Sequence, residues 1–494
     1  MLFSLSPTTV FSLFFSVVII TLLVSKLRRG PGPPEPPTVH VPLLSILRHG
    51  SQLLEHLAVQ NLDSTPHGIF TASFFFGLFK AYVVTSPEVT LQIQSRSSAR
   101  DFSFVPFFFL TNMGGTRGDS FGKLIGDDGG VTFKGDFHDA HVTNLTLGVK
   151  HDGLMDQVVQ AASVFVERLQ AEVGTEGKNL DIWLWLKEAG AVSVGRAIWG
   201  PRSPYSVNEG LWEDLWTFVR WYEPMKCTIA GVVPWASEGT KARDRVTAAF
   251  YQFALEGSAS MSSPLAQSRE KCFMNRGLND AELAACAISM SVGQIQLVSL
   301  VYSAIARITQ YPGLLDRIRQ EIDAQGEESD FTQTAGKCPL LLSAVHETLR
   351  LGSLGVTIRN VLADHEITMK GDGTTYQLRK GGMVWASGRA IHGSPVVHRD
   401  PECFVPGRFL AYRFPETQIP EAFRTFSGGG NICLGRHVAR DAATCLVAIM
   451  LMRFDYTPAE AGGLNIPDLS TFAFQQGISH PTGNTTVNVR ARRG

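Results

Sequence analysis

The segment Phe426-Ser-Gly-Gly-Gly-Asn-Ile-Cys433-Leu-Gly435-Arg-His-Val-Ala439 sets three consecutive glycines, one cysteine and a fourth glycine ahead of an uncharged run, Ala442–Met452. Glycines in a row let the backbone turn tightly and let another group approach closely. The run beyond is helix-compatible, so Cys433 falls near the positive end of a helix dipole, which favours thiolate over thiol. Loop N–H groups can donate to the sulfur and tune a bound metal. A flat, bulky cofactor fits against glycine where a side chain would clash, and thiolate ligation of a haem needs this arrangement. A buried cysteine after a glycine-rich turn is the plainer reading, and the segment alone leaves both open.

The 494-residue chain, 44% hydrophobic, is long enough for a large core, and one large domain fits the absence of low-complexity breaks after the first forty residues. A formal charge of -1 gives no reason to expect nucleic acid. The seven cysteines are odd in number and scattered without a C-x-x-C pair, which suggests a reducing compartment. Gly118-Asp-Ser-Phe-Gly122-Lys123 looks faintly like a phosphate loop, but its spacing is short and Leu124 stands where Ser or Thr is required.

Residues 1–25 carry no charged side chain; Lys26, Arg28 and Arg29 follow, then five prolines between 31 and 37. The apolar stretch with its flanks can span a bilayer. Its positive charge lies on the C-terminal side, which predicts an uncleaved anchor at 1–25 with the body of the protein cytoplasmic. The basic, proline-rich residues 26–40 form a stiff linker to a domain at 41–494.

Beyond the linker the pattern predicts a helix at Leu53–Gln60 and strands at Ile69–Phe75 and Ala81–Thr85. Helices are expected at Met155–Leu169, Leu180–Ile198, Leu211–Val219 and Ala248–Met261. Leu283–Ala306 is 24 residues without a charge. Its serines and glutamines make it too polar to face lipid, so it reads as a buried central helix. Ser289, Gly293 and Gln296 share one helical face there. Glu347 and Arg350, at i and i+3, can pair on the helix Leu341–Leu351.

Phe426, Gly429, Cys433 and Gly435 match the aromatic-x-x-Gly-x-x-x-Cys-x-Gly pattern, and the segment resembles the haem-binding loop of the cytochrome P450 family. Phe404-Val-Pro406-Gly-Arg408-Phe409 resembles that family's Phe-x-Pro-x-Arg-Phe, whose arginine joins the Glu/Arg pair in a buried triad, here Glu347, Arg350 and Arg408. The central helix, the Glu/Arg pair, this segment and the cysteine loop come in the family's order. The resemblance implies a mainly α fold with a small β-rich region, preceded by the membrane helix, and haem b held by Cys433. It places Arg359 against a haem propionate, with His141 (four residues after Phe137) and Asn431 where the family often has basic residues. It puts Gly293 at the family's helix glycine, with Ile295 and Gln296 in place of the usual acid and threonine.

The resemblance further implies a monooxygenase oxidising a hydrophobic small molecule such as a terpenoid, sterol or alkaloid of fungal secondary metabolism. It would use O2 and electrons from NADPH through a membrane-bound reductase, on the cytosolic face of the endoplasmic reticulum. The reductase would dock near Arg424, Arg436 and Arg440. Substrate contacts would come from Phe104–Gly130, Ser289–Gln296, Leu354–Thr357 and Phe474–Ile478. Leu349-Arg-Leu351, Ile358-Arg359-Asn360 and Tyr376–Gly381 are similar to the branch containing prostacyclin synthase and the sterol hydroxylases. That leaves a second reading, a haem-thiolate isomerase needing no reductase, beside a third, a non-enzymatic membrane haem- or lipid-binding protein. In the first reading Gln296 orients the proton supply.

Overall fold

The computed structural model describes residues 32–492 except 43, 46–48, 50–51, 63, 78, 96–100, 104–114, 116–119, 129, 222–236, 326–333, 461 and 468–476. The expected anchor at 1–25, the aromatic run Phe104–Leu110, most of the loop Gly114–Gly130 and residues 474–476 lie outside the described residues.

Six helices place the site: α1 (Val131–Leu145), α2 (Val149–Val173), α3 (Ile182–Trp199), α4 (Ser291–Gln310), α5 (Pro339–Gly352) and α6 (Arg436–Arg453). On α2 the buried residues Leu154, Met155, Val158, Ala162, Val166, Leu169 and Val173 recur at three- and four-residue steps, so one apolar stripe faces the core. Asp181 caps the start of α3, its carboxylate accepting from the Leu184 N–H at 3.0 Å. Leu340 through Arg350 are all buried, which makes α5 an interior helix. Tyr311 turns extended at the end of α4, as the residue before Pro312 must. These helices share one large apolar core.

The expected single helix Leu283–Ala306 is broken. A helix spans Asp280–Ala287, a 3-10 turn Ile288–Met290, and α4 follows. Ser289 Oγ donates to the Cys286 carbonyl at 2.6 Å, a local bond that competes with regular helix and tightens the turn. The stretch is apolar and long enough to cross a membrane, but most of it is buried within the protein. Leu180, expected in a helix, lies in the strand Lys178–Asp181, paired with Val487 of the C-terminal strand. The helix expected at Ala248–Met261 instead covers Ser237–Leu255; Gly257, at φ 71, ends it, and Ser258–Met261 is a 3-10 turn.

The largest sheet contains β1 (Thr38–His40), β2 (Ile69–Phe74), β3 (Phe79–Val84), β4 (Phe102–Ser103), β5 (Thr357–Val361) and β6 (Met383–Ala386), in the order β1-β2-β3-β6-β5-β4. β2 and β3 form a hairpin, β3 and β6 run parallel, and β5 pairs antiparallel with both β6 and β4. Alternate residues of β5 (Thr357, Arg359 and Val361) are buried, so all three point to one face. That face meets the cysteine loop.

Candidate active site

The cysteine loop closes on itself where the Cys433 N–H donates to the Phe426 carbonyl at 2.9 Å. Two of its residues are left-handed, Ser427 (φ 61) and Gly429 (φ 66). A Cβ at Gly429 would come under 3.0 Å from the Gln94 carbonyl, so both backbone angle and close approach require glycine. Gly430 and Gly435 face the other way. A Cβ at Gly430 would meet nothing within 4 Å, and one at Gly435 would meet only Cys433 Sγ at 4.0 Å. Gly435 begins α6. Cys433 has protein packed closely around it and is nonetheless exposed. Burial pushes its thiol pKa up, while the Gly435 N–H, the Arg436 charge and the Arg436 N–H act in the opposite direction.

The loop is tied to the sheet through two hydroxyls. Gln94 Nε2 donates to Thr357 Oγ1 at 2.7 Å, and Thr357 and Ser427 share a hydrogen bond of 2.8 Å. Arg359 lies two residues along the same face of β5 and is buried. Arg424, just before the loop, is buried as well; its Nη1 donates to the Pro420 carbonyl at 3.0 Å, and among the described residues its Nε and Nη2 have no hydrogen-bond partner. Burial pulls both guanidinium pKa values down to about 10, and the charge of Arg359 adds to the effect on Arg424. Iron protoporphyrin offers a flat ring, an axial coordination position and two carboxylates. An accessible sulfur, a side-chain-free glycine surface and two buried guanidinium groups fit those features in kind.

His141 is bonded back to its own helix. Its Nδ1 bonds the Phe137 carbonyl at 2.6 Å, one helical turn back, and its ring packs on Phe137 at 4.3 Å between centroids. Burial, reinforced by the charge of Arg269, lowers its pKa to about 4. Asn431 ends the 3-10 turn Gly429–Asn431 and carries no charge.

The Glu347 network is fully assembled. Arg350 Nε and Nη2 each donate to one Glu347 oxygen at 2.8 Å. Arg408 Nε reaches both oxygens at 3.1 Å, and the Val405 N–H adds a bond at 3.0 Å. Arg350 also donates to the carbonyls of His392, Pro401 and Cys403, and Arg408 to those of Arg399 and Asp400. A carboxylate at 0% exposure is thereby satisfied on both oxygens, and the segment leading to the cysteine loop is pinned to α5.

On α4, Gly293 is exposed on a mostly buried helix, and among the described residues a Cβ there would meet nothing within 4 Å. Ile295 is buried. Gln296 Oε1 accepts the Ile478 N–H at 2.8 Å. Ser289 leaves the expected face, since the 3-10 turn directs its hydroxyl to Cys286 and to Arg269. The expected basic docking surface is also revised. Arg440 is 1% exposed and Arg424 is 2% exposed. Arg440 bonds Asp441 at 2.7 Å and lies over the Phe414 ring, and Arg436 faces the buried Glu416 at 3.7 Å. Arg424 and Arg440 are therefore interior rather than surface charges. Gln94, Thr357 and Ser427 carried no motif; the alternation of β5 around Arg359 was the available signal for Thr357.

The sequence model for Cytochrome P450 matches residues 137–480. Cytochrome P450 monooxygenase nodJ of Hypoxylon pulicicidum is 24% identical over 453 residues, covering 86% of this chain and 84% of that protein. Cytochrome P450 monooxygenase poxD of Penicillium oxalicum is 35% identical over 161 residues, 31% of this chain and 33% of that protein. Among solved structures, retinoic acid-bound cyanobacterial CYP120A1 shares the fold with a TM-score of 0.68 at 17% identity, over 93% of this chain and all of its own. With the family model covering most of the chain, and the cysteine loop and Glu347 network in place, this protein belongs to the cytochrome P450 family and is a monooxygenase.

Proposed function

We propose that Cys433 is the axial thiolate of haem b and that the enzyme oxidises a hydrophobic small molecule, such as a terpenoid, sterol or alkaloid of fungal secondary metabolism. The carrying observation is an exposed cysteine just before α6, in a loop whose glycines leave room beside it. When bound, the haem supplies the oxidising chemistry, inserting one oxygen atom from O2 into a C–H bond or alkene. The chain's own part is to hold the sulfur through Gly435 and Arg436, to place Arg359 toward a propionate, and to exclude water with α4 and the Leu354–Thr357 segment. The uncharged residues 1–25 and the basic residues after them support an endoplasmic reticulum anchor with the domain facing the cytosol. Electrons then come from NADPH through a membrane-bound reductase.

A carbon-monoxide difference spectrum of the reduced protein tests the ligand. Wild type gives the thiolate-ligated signature and Cys433→Ser loses it; an unaltered spectrum in the variant overturns the assignment.

The absence of both a carboxylic acid at Ile295 and a hydroxyl at Gln296 favours a second reading, rearrangement of an already oxidised substrate without reductase. Turnover that persists when NADPH is omitted selects this reading; turnover that stops selects the monooxygenase with a reductase partner.

A further inference from the structure

Gln296 stands where a proton carrier is expected, but its side-chain carbonyl is committed to the backbone of a distant turn. Its Oε1 accepts the Ile478 N–H at 2.8 Å across 182 residues of sequence. The preceding residue, Gly477, has φ +61, and a Cβ there would fall under 3.0 Å from three atoms of the Gln296 amide. The turn is thus shaped around this one side chain. The same turn is stitched to the end of α5: the Leu354 N–H donates to the Gly477 carbonyl at 3.1 Å and the Ser479 N–H to the Gly352 carbonyl at 2.9 Å, with a bridge between Ser353 and Ile478. Three segments far apart in sequence (the middle of α4, the exit of α5 and the C-terminal turn) meet at one amide. Gly293, one turn earlier on α4, leaves the neighbouring helix surface open.

An amide carbonyl engaged as an acceptor gives up no proton. What it does is fix distance: it holds the Gly477–Ile478 turn against the helix that bears Gly293. We infer that Gln296 is a positioning residue, clamping the Gly477–Ile478 turn and the Leu354 segment to α4 so that the substrate wall is rigid. The inference rests on the active-site reading above, in which α4 and these segments border the substrate.

Gln296→Glu keeps an acceptor oxygen and adds an acid; Gln296→Met keeps length and removes the acceptor. Gly477→Ala leaves Gln296 intact and strains the turn from the other side. Amide exchange of the 477–479 region is followed by mass spectrometry, together with the absorption shift on adding imidazole and the bulkier 4-phenylimidazole. Gln296→Met and Gly477→Ala are expected to speed exchange about five- to tenfold, the scale of one lost hydrogen bond, and to change the ratio of the two imidazole affinities. Gln296→Glu is expected to restore both. Unchanged exchange in Gln296→Met overturns the inference, as does a Glu variant that behaves like Met. Failure of imidazole to shift the wild-type spectrum would instead count against the haem reading, and the exchange measurement does not depend on it.

Discussion

At the scale of single residues, the site is decided by which side chains keep a charge where a carboxylate can reach them. Arg359 lies on the face of β5 that carries Thr357 to the cysteine loop, and burial lowers its pKa only to about 10, so it stays a cation. His141 is bonded back to its own helix, and burial lowers its pKa to about 4. Arg359→Gln is therefore expected to speed haem loss to apomyoglobin about tenfold or more, the scale of one charge-assisted hydrogen bond. His141→Gln should leave that rate within about twofold, since it removes no charged partner. Equal effects of the two substitutions would return His141 to the propionate site.

At the scale of elements, the Glu347 network links the interior helix α5 to the segment before the cysteine loop. Glu347 is fully buried, and removing it leaves Arg350 and Arg408 facing an apolar core without their carboxylate. Glu347→Ala is expected to destabilise the fold by about 3–5 kcal/mol, read as a lowered urea midpoint. The carbonyls of His392, Pro401 and Cys403 keep Arg350 partly satisfied and set the loss toward the lower end. A midpoint equal to wild type would mean that the loop is held in register without this network. The cysteine loop shows the converse case. Its conformation is fixed less by strong bonds than by two left-handed residues and by contact with Gln94, which no other residue type at Gly429 would permit.

At the scale of the molecule, many histidines are taken into the interior uncharged. His346 and His480 are lowered to about 3, and His437, like His141, to about 4, chiefly by burial. A histidine with a depressed folded pKa binds fewer protons than its unfolded form between that value and the usual 6.5. Its contribution to stability is present above about pH 6.5 and is lost as pH falls toward 4. His151, raised by Asp441 and Asp152, acts with the opposite sign, as do the buried carboxyls Glu55 and Glu416. His346 isolates the effect: it is 0% exposed, both ring nitrogens lack partners among the described residues, and Arg440 adds to the penalty on its charged form while Asp441 offsets part of it. Wild type should lose stability relative to His346→Leu as pH is lowered from 6.5 to 4 in stepped urea titrations. A pH-independent difference would mean that the ring charges without cost.

The order of motifs along the chain, the cysteine, and the Glu/Arg pair were legible because each depends on residue type at fixed local spacing. So were most helices, whose apolar stripes repeat at the helical period. The break before α4 was not legible, because a serine hydroxyl turning back on its own carbonyl competes with a helix that composition favours. The surface expected from Arg424 and Arg440 failed for a related reason: charge can be counted in a sequence, but burial beside Phe414, Asp441 and Arg359 arises only when distant segments pack. By itself the sequence determined the family and most of the helical scaffold, and it pointed to Cys433 as the candidate ligand, since these are written in local pattern. Only the tertiary structure decided that Arg440 is buried, that Arg424 lies beside Arg359, and that Gln296 grips Ile478, because burial and long-range hydrogen bonds are set by neighbours that the linear chain does not place side by side.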